Sequence, residues 1–422
     1  MGANHLSTST VIRHVKAWKA FDSRGTPTIE VIIKTPEGIG RAAAPSGVSR
    51  GRWEVESYPS GGIDEALKIV ENTLAPKLTG LQAEDQTAID SLLHEVDGSP
   101  NFTNIGGNTA YAISAAAALA AADSKKIPLF EHLSRSARGE LPLPIGNVIG
   151  GGRHARVGKT DVQEFLVLPT GARIFSEAAV ANANVHSEIA TLLEAKGKPS
   201  VGKGDEGAWI ADLMTEEAFE ILSRACENIS DLMGIEIRIG VDIAASTLWD
   251  EKQHLYVYNK DEKRLNEGGQ LDHVQSLIDR YGLFYIEDPF HEGSFQSFAE
   301  LTKAVRDTLV CGDDLFVTNS VRFEKGKKMK AGNAIVIKPN QVGTISDAYE
   351  TAVAAKQAGY ITVTSHRSGD TPAPELAHLA IAYGSPIIKT GVVGGERVAK
   401  INELVKIEKD LGERAKLARI NL

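Results

Sequence analysis

Short strand-like runs, each closed by a charged or metal-competent side chain, recur through the second half of the chain. IRIGV ends at Asp242, LFYI at Glu287, LVCG at Asp313, AIVI at Lys338, ITVTS at His366 and PII at Lys389. Successive ends lie 45, 26, 25, 28 and 23 residues apart, by subtraction of their numbers. One strand, one helix and two loops occupy about that much chain, so the pattern predicts repeated βα units and an α/β class. In a closed barrel of eight such units the C-terminal strand ends converge on one mouth, where chemistry takes place. Three carboxylates, two lysines and a histidine would meet there.

The first third is patterned differently. TIEVIIK reads as a strand after the turn DSRGTP, and GIGRAAAPSGVSRGRWE passes from a strand into a Gly/Ser loop. Helical periods follow at about 62–77, 84–96 and 106–123. ELPLPIGN (140–147) reads as a linker entering a new strand. These features predict an N-terminal α+β domain over residues 1–140 and a barrel over 141–422. The barrel starts irregularly: the strand DVQEFLVLP is followed by a long helix, the Gly-rich loop GKGDEGAW and a second helix through about 215–232, all before Asp242.

Composition narrows the function classes. A net charge of −9 disfavours nucleic acid, which requires a basic footprint. An anionic small molecule stays open if cations reverse the sign locally. No apolar stretch approaches the ~18 residues of a membrane span, and the first ten residues lack the regions of a signal peptide, so a cytoplasmic location is expected. Cys226 and Cys311 are too few for a disulfide framework or a zinc site and read as core residues.

Asp242, Glu287 and Asp313 are hard oxygen donors, which favour Mg²⁺ or Mn²⁺ over zinc. Each alone could instead cap the helix that follows it; three in successive strand ends favour a metal. Lys338 and Lys389 follow buried strands, where burial and nearby cations can depress a lysine into a base. SHRSGD places His366, Arg367 and Ser368 on one loop suited to phosphate or carboxylate. GKGDEGAW sets Asp205 and Glu206 between glycines as a candidate general acid. Glu164 in QEF and His154 in GGGRHARVG are weaker candidates that could be structural. Ser46-Gly47-Val48-Ser49 resembles a phosphate-cradling loop without the Walker pattern.

The ordered motifs FDSRGTPTIEV, PSGVSRG, QEFLVLPTGA, GDEG, VDIAAS, IEDPF, GDDLFVTN, IKPNQVGT, TSHRSGD and IKTG resemble the enolase family, in its archaeal form, over nearly the whole chain. The resemblance implies an N-terminal α+β domain before a modified (β/α)₈ barrel with a ββαα start. It also implies Mg²⁺-dependent reversible dehydration of 2-phosphoglycerate, a step of glycolysis and gluconeogenesis, in a cytoplasmic homodimer or homo-octamer. Asp242, Glu287 and Asp313 would ligate one Mg²⁺ and Ser49 would help hold a second. Lys338 would take the C2 proton and Lys389 would stabilise the ene-diolate. Glu206, supported by Glu164, would protonate the leaving hydroxyl. His366, Arg367 and Ser368 would orient phosphate, and His154 would join on a loop; Glu164, Glu287, Asp313 and Lys389 would also contact substrate. Departures gather on the loops at the phosphate end: Ser57-Tyr58-Pro59-Ser60-Gly61 stands for ELRDG, and Arg153 precedes the loop histidine. A relative acting on a different phosphorylated hydroxy acid is therefore the alternative reading.

Overall fold

The computed structural model describes residues 9–47, 51–134, 140–155 and 160–420. The N-terminal segment opens with three antiparallel strands, His14–Phe21, Pro27–Lys34 and Ile39–Ala43, in sequential order. The first hairpin turns where Asp22 Oδ1 accepts the backbone N–H groups of Arg24 and Thr26 at 2.9 and 2.8 Å, an aspartate turn that competes locally with the ladder. Helix Gly107–Lys125 packs on this sheet and is buried on nearly every side, as its alanine-rich, non-amphipathic sequence requires. The strand and helix approach so closely at Gly40 that a Cβ there would lie 1.9 Å from the Ala116 carbonyl oxygen.

Eight strands close a barrel: Leu143–Gly150, Glu164–Leu168, Arg238–Asp242, Tyr285–Glu287, Leu309–Gly312, Ala334–Ile337, Ile361–Ser365 and Ile387–Lys389. The last pairs with the first, Lys389 opposite Ile145, and completes the ring. The predicted strand–helix alternation is borne out after Asp242, with helices following each of the last five strands. Six of the eight are buried along their whole length; in the Arg238–Asp242 and Ile361–Ser365 strands only the first residue is partly exposed. That matches their unbroken apolar runs.

The irregular start has a definite form. The first two strands are adjacent, and helices Phe175–Ala195 and Thr215–Met233 follow before the third, a ββαα order. The second strand runs antiparallel to both neighbours. Its first residue, Glu164, therefore stands opposite Gly150 on one side and Asp242 on the other, at the mouth where the other strands end. Cys226 and Cys311 are free and buried. Among the described residues no helix is long and apolar enough to cross a membrane.

Candidate active site

Parallel pairing brings the acids together directly. Glu287 is in register with Asp242 on one neighbour and with Cys311 on the other, which sets Asp313 two residues beyond the latter. Asp288 ties the two ends: its carboxylate accepts the backbone N–H groups of Asp313 and Asp314 at 3.0 and 2.7 Å. Sharp turns follow each end, with Ala244, Asp288, Val317 and Thr318 all at positive φ, 49°, 41°, 44° and 56°. For β-branched Val317 and Thr318 that conformation is strained. It points the Thr318 hydroxyl at Lys338 N (2.8 Å) and Gln341 Oε1 (2.6 Å).

Both lysines are held by these acids. Lys389 Nζ lies 3.1 Å from Glu164, 3.2 Å from Asp242 and 2.9 Å from Glu287. Lys338 Nζ is paired with Asp313, whose other oxygen accepts from Gln341 Nε2 at 3.0 Å. Burial alone would lower both lysines, but the carboxylates outweigh it and raise both. The depressed lysine anticipated from burial is thus absent while the acids keep their charge for it. Glu287, fully buried, is pushed up to about 7, chiefly by burial. Asp242, Glu287 and Asp313 are the hard oxygen donors a divalent cation takes; here they are divided between Lys389 and Lys338, and among the described residues the three carboxylates whose oxygens lie within 4.8 Å of one another are Asp288, Asp313 and Asp314.

A second group lies beside the first. His154 sits between Glu164 and Glu206, with Nδ1 3.6 Å and Nε2 3.9 Å from their oxygens, and the three side chains are close enough to share an ion. Burial, then the charge of Glu206, raises Glu164 well above the usual carboxylate range. For Glu206 burial is outweighed by His366, His154 and Arg397, which hold it well below that range. The ligand-free pair therefore carries its proton on Glu164. His366 presents Nε2 to Glu206 at 3.5 Å. Arg367 is buried, with both terminal nitrogens donating to the Glu54 carboxylate at 3.0 Å and one also to Asn340 Oδ1 at 3.0 Å. Ser368 is buried on the same loop. Ser49 lies outside the described residues.

Family models match both parts of the chain: "Enolase, N-terminal domain" over residues 12–133 and "Enolase, C-terminal TIM barrel domain" over 138–422. The chain belongs to the enolase family. Among relatives named enolase, that of Methanosphaera stadtmanae is 48% identical over 404 residues, covering 95% of this chain and 98% of its own length. That of Methanothermobacter thermautotrophicus is 47% identical, with 95% and 97% covered, and that of Halorubrum lacusprofundi 46%, with 95% and 99%. An enolase family member is a lyase whose site takes a divalent metal and a small phosphorylated substrate.

Several groups at this site had no assigned role in the sequence reading. Gln341 and Asn340 stand inside IKPNQVGT, and Gln163 directly precedes Glu164 and donates to Asp242 at 3.5 Å. Polar side chains beside a strand-end lysine or glutamate were an available signal. Glu54 and Arg397 were not findable that way. Their partners are 313 and 31 residues distant in sequence.

Proposed function

We propose that the chain catalyses the reversible dehydration of 2-phosphoglycerate to phosphoenolpyruvate with two Mg²⁺ per site. The observation that carries the reading is the placement of Lys389 among Glu164, Asp242 and Glu287, with Lys338 on Asp313 at the same barrel mouth. Acid and base groups flanking a carboxylate cage suit removal of a proton next to a carboxylate. A divalent cation on Asp242, Glu287 and Asp313 would supply a charge sink for the ene-diolate and neutralise the carboxylate that now keeps Lys338 protonated. Ser49 is proposed for the second Mg²⁺.

In this reading Lys338 takes the C2 proton and Lys389 balances the charge that develops on the carboxylate. Glu206 protonates the departing C3 hydroxyl, drawing on the proton that burial keeps on neighbouring Glu164, with His154 between them. Arg367 and Ser368 hold phosphate, the former already oriented by Glu54 and Asn340. A homodimer or homo-octamer in the cytoplasm belongs to the same proposal.

The test is kinetic. Purified protein with Mg²⁺ should convert 2-phosphoglycerate to phosphoenolpyruvate. Lys338→Ala should abolish exchange of the C2 proton with deuterated solvent. Glu206→Gln should keep that exchange but lower dehydration by roughly 10²–10⁴-fold, the usual worth of a general acid. Identical behaviour of the two variants would refute the division of roles. Turnover of another phosphorylated hydroxy acid in place of 2-phosphoglycerate would refute the substrate.

A further inference from the structure

Arg397 is fully buried near the start of helix Gly395–Leu411, and the chemistry assigned above leaves it unused. Its Nη1 donates to His366 Nδ1 at 2.6 Å and to the Arg367 carbonyl at 2.7 Å. Its Nη2 donates to the carbonyls of Ser368 at 2.6 Å and Asp205 at 3.1 Å. One guanidinium thus joins the loop that carries Glu206 to the loop that carries His366, Arg367 and Ser368. Arginine keeps its charge and has donors only. The nitrogen it touches on His366 must therefore be the acceptor, and a neutral ring then bears its single proton on Nε2. That nitrogen is buried without a hydrogen-bond partner and lies 3.5 Å from Glu206 Oε2, an oxygen that accepts from Asn147 Nδ2 at 3.2 Å.

We propose that Arg397 is a positioning residue that locks His366 in the Nε2–H tautomer, so that the imidazole can only donate to Glu206 and the proton that Glu206 takes up from Glu164 is left for the substrate. The consequence follows from the alternative. With the proton on Nδ1, a bare Nε2 lone pair would face the carboxyl and take its proton as a hydrogen bond, away from the leaving hydroxyl. With Nε2–H, the contact to Glu206 strengthens as Glu206 gives up its proton, so it acts on the transition state more than on the ground state. The groups facing the ring are Arg397 from the helix, Glu206 from its loop and Asp370 from the loop of His366 itself. Burial, then the Arg397 charge, pushes the imidazolium down to about 4, which leaves the ring neutral at pH 7.

The role rests on the acid assignment of Glu206, but its first test does not. ¹⁵N NMR of histidine-labelled protein, with His366→Asn identifying the signal, should show an unprotonated Nδ1 and a protonated Nε2 from pH 6 to 8. A protonated Nδ1 in the unaltered protein overturns the proposal whether or not 2-phosphoglycerate is the substrate. In Arg397→Gln the ring should populate both tautomers and take up a proton at a higher pH than in the parent, while burial still holds it below an exposed histidine. With Mg²⁺ and 2-phosphoglycerate that variant should lose at least tenfold in kcat for dehydration and gain a new ionisation on the acid limb of its pH profile. Its C2 proton exchange should stay within about threefold of the parent, and Arg397→Lys should restore less than half of the lost rate, because an ammonium cannot span both loops. Equal loss of exchange and dehydration would mean a merely structural residue and would overturn the proposal.

Discussion

Glu287 shows most directly what burial does to a single side chain at this site. Its carboxyl accepts from Tyr285 OH at 2.6 Å and from Lys389, yet burial still lifts it to about 7. A metal ligand must be deprotonated, so a proton competes with the cation below that value. The sign follows: as pH rises through 7 the proton leaves and affinity increases, then levels off. Titration calorimetry should find Mg²⁺ affinity rising by up to about tenfold per pH unit below 7. A flat profile from pH 6 to 8 would remove Glu287 from the ligand set. Lys338 works in the same direction, because its ammonium now occupies the Asp313 carboxylate.

Among the elements, the reversed second strand matters most for chemistry. A strand parallel to its neighbours would have carried Glu164 to the far end of the barrel; running backwards, it starts at the mouth beside Asp242. The strained turn at Val317 and Thr318 is a second device of this kind, since it orients the backbone of Lys338 and the side chain of Gln341 through one hydroxyl. Elsewhere an element contact is set by the lack of a side chain. Gly40→Ala would drive a methyl group into the Ala116 carbonyl of helix Gly107–Lys125. Overpacking of this sort costs about 1–3 kcal/mol, to be read as a lower urea midpoint with an unchanged slope. A midpoint within error of the parent would mean that the sheet and helix separate freely.

For the whole molecule, the site is completed by the N-terminal segment. Glu54 clamps Arg367, the Pro45 carbonyl accepts from Asn340 Nδ2 at 3.0 Å, and Ser46 and Gly369 exchange backbone hydrogen bonds at 2.7 and 2.8 Å. Glu54→Ala should leave the Arg367 charge buried without its partner, a loss of about 3–5 kcal/mol by analogy with other broken buried pairs. The KM for 2-phosphoglycerate should rise more than kcat falls; an unchanged KM would show that the clamp does not serve phosphate. The repeat of apolar runs ending in Asp242, Glu287, Asp313, Lys338, His366 and Lys389 was legible because strand burial and spacing are local properties of the chain. So were the α/β class, the helix at 215–232 and the presence of a carboxylate cluster. Strand direction, the pairing of each lysine with a particular acid, the contact of His366 with Glu206 and the clasp made by Arg397 were decided only by tertiary structure. They depend on which distant groups share a buried space of low polarity, where charges must find partners, and no local pattern of residues encodes that.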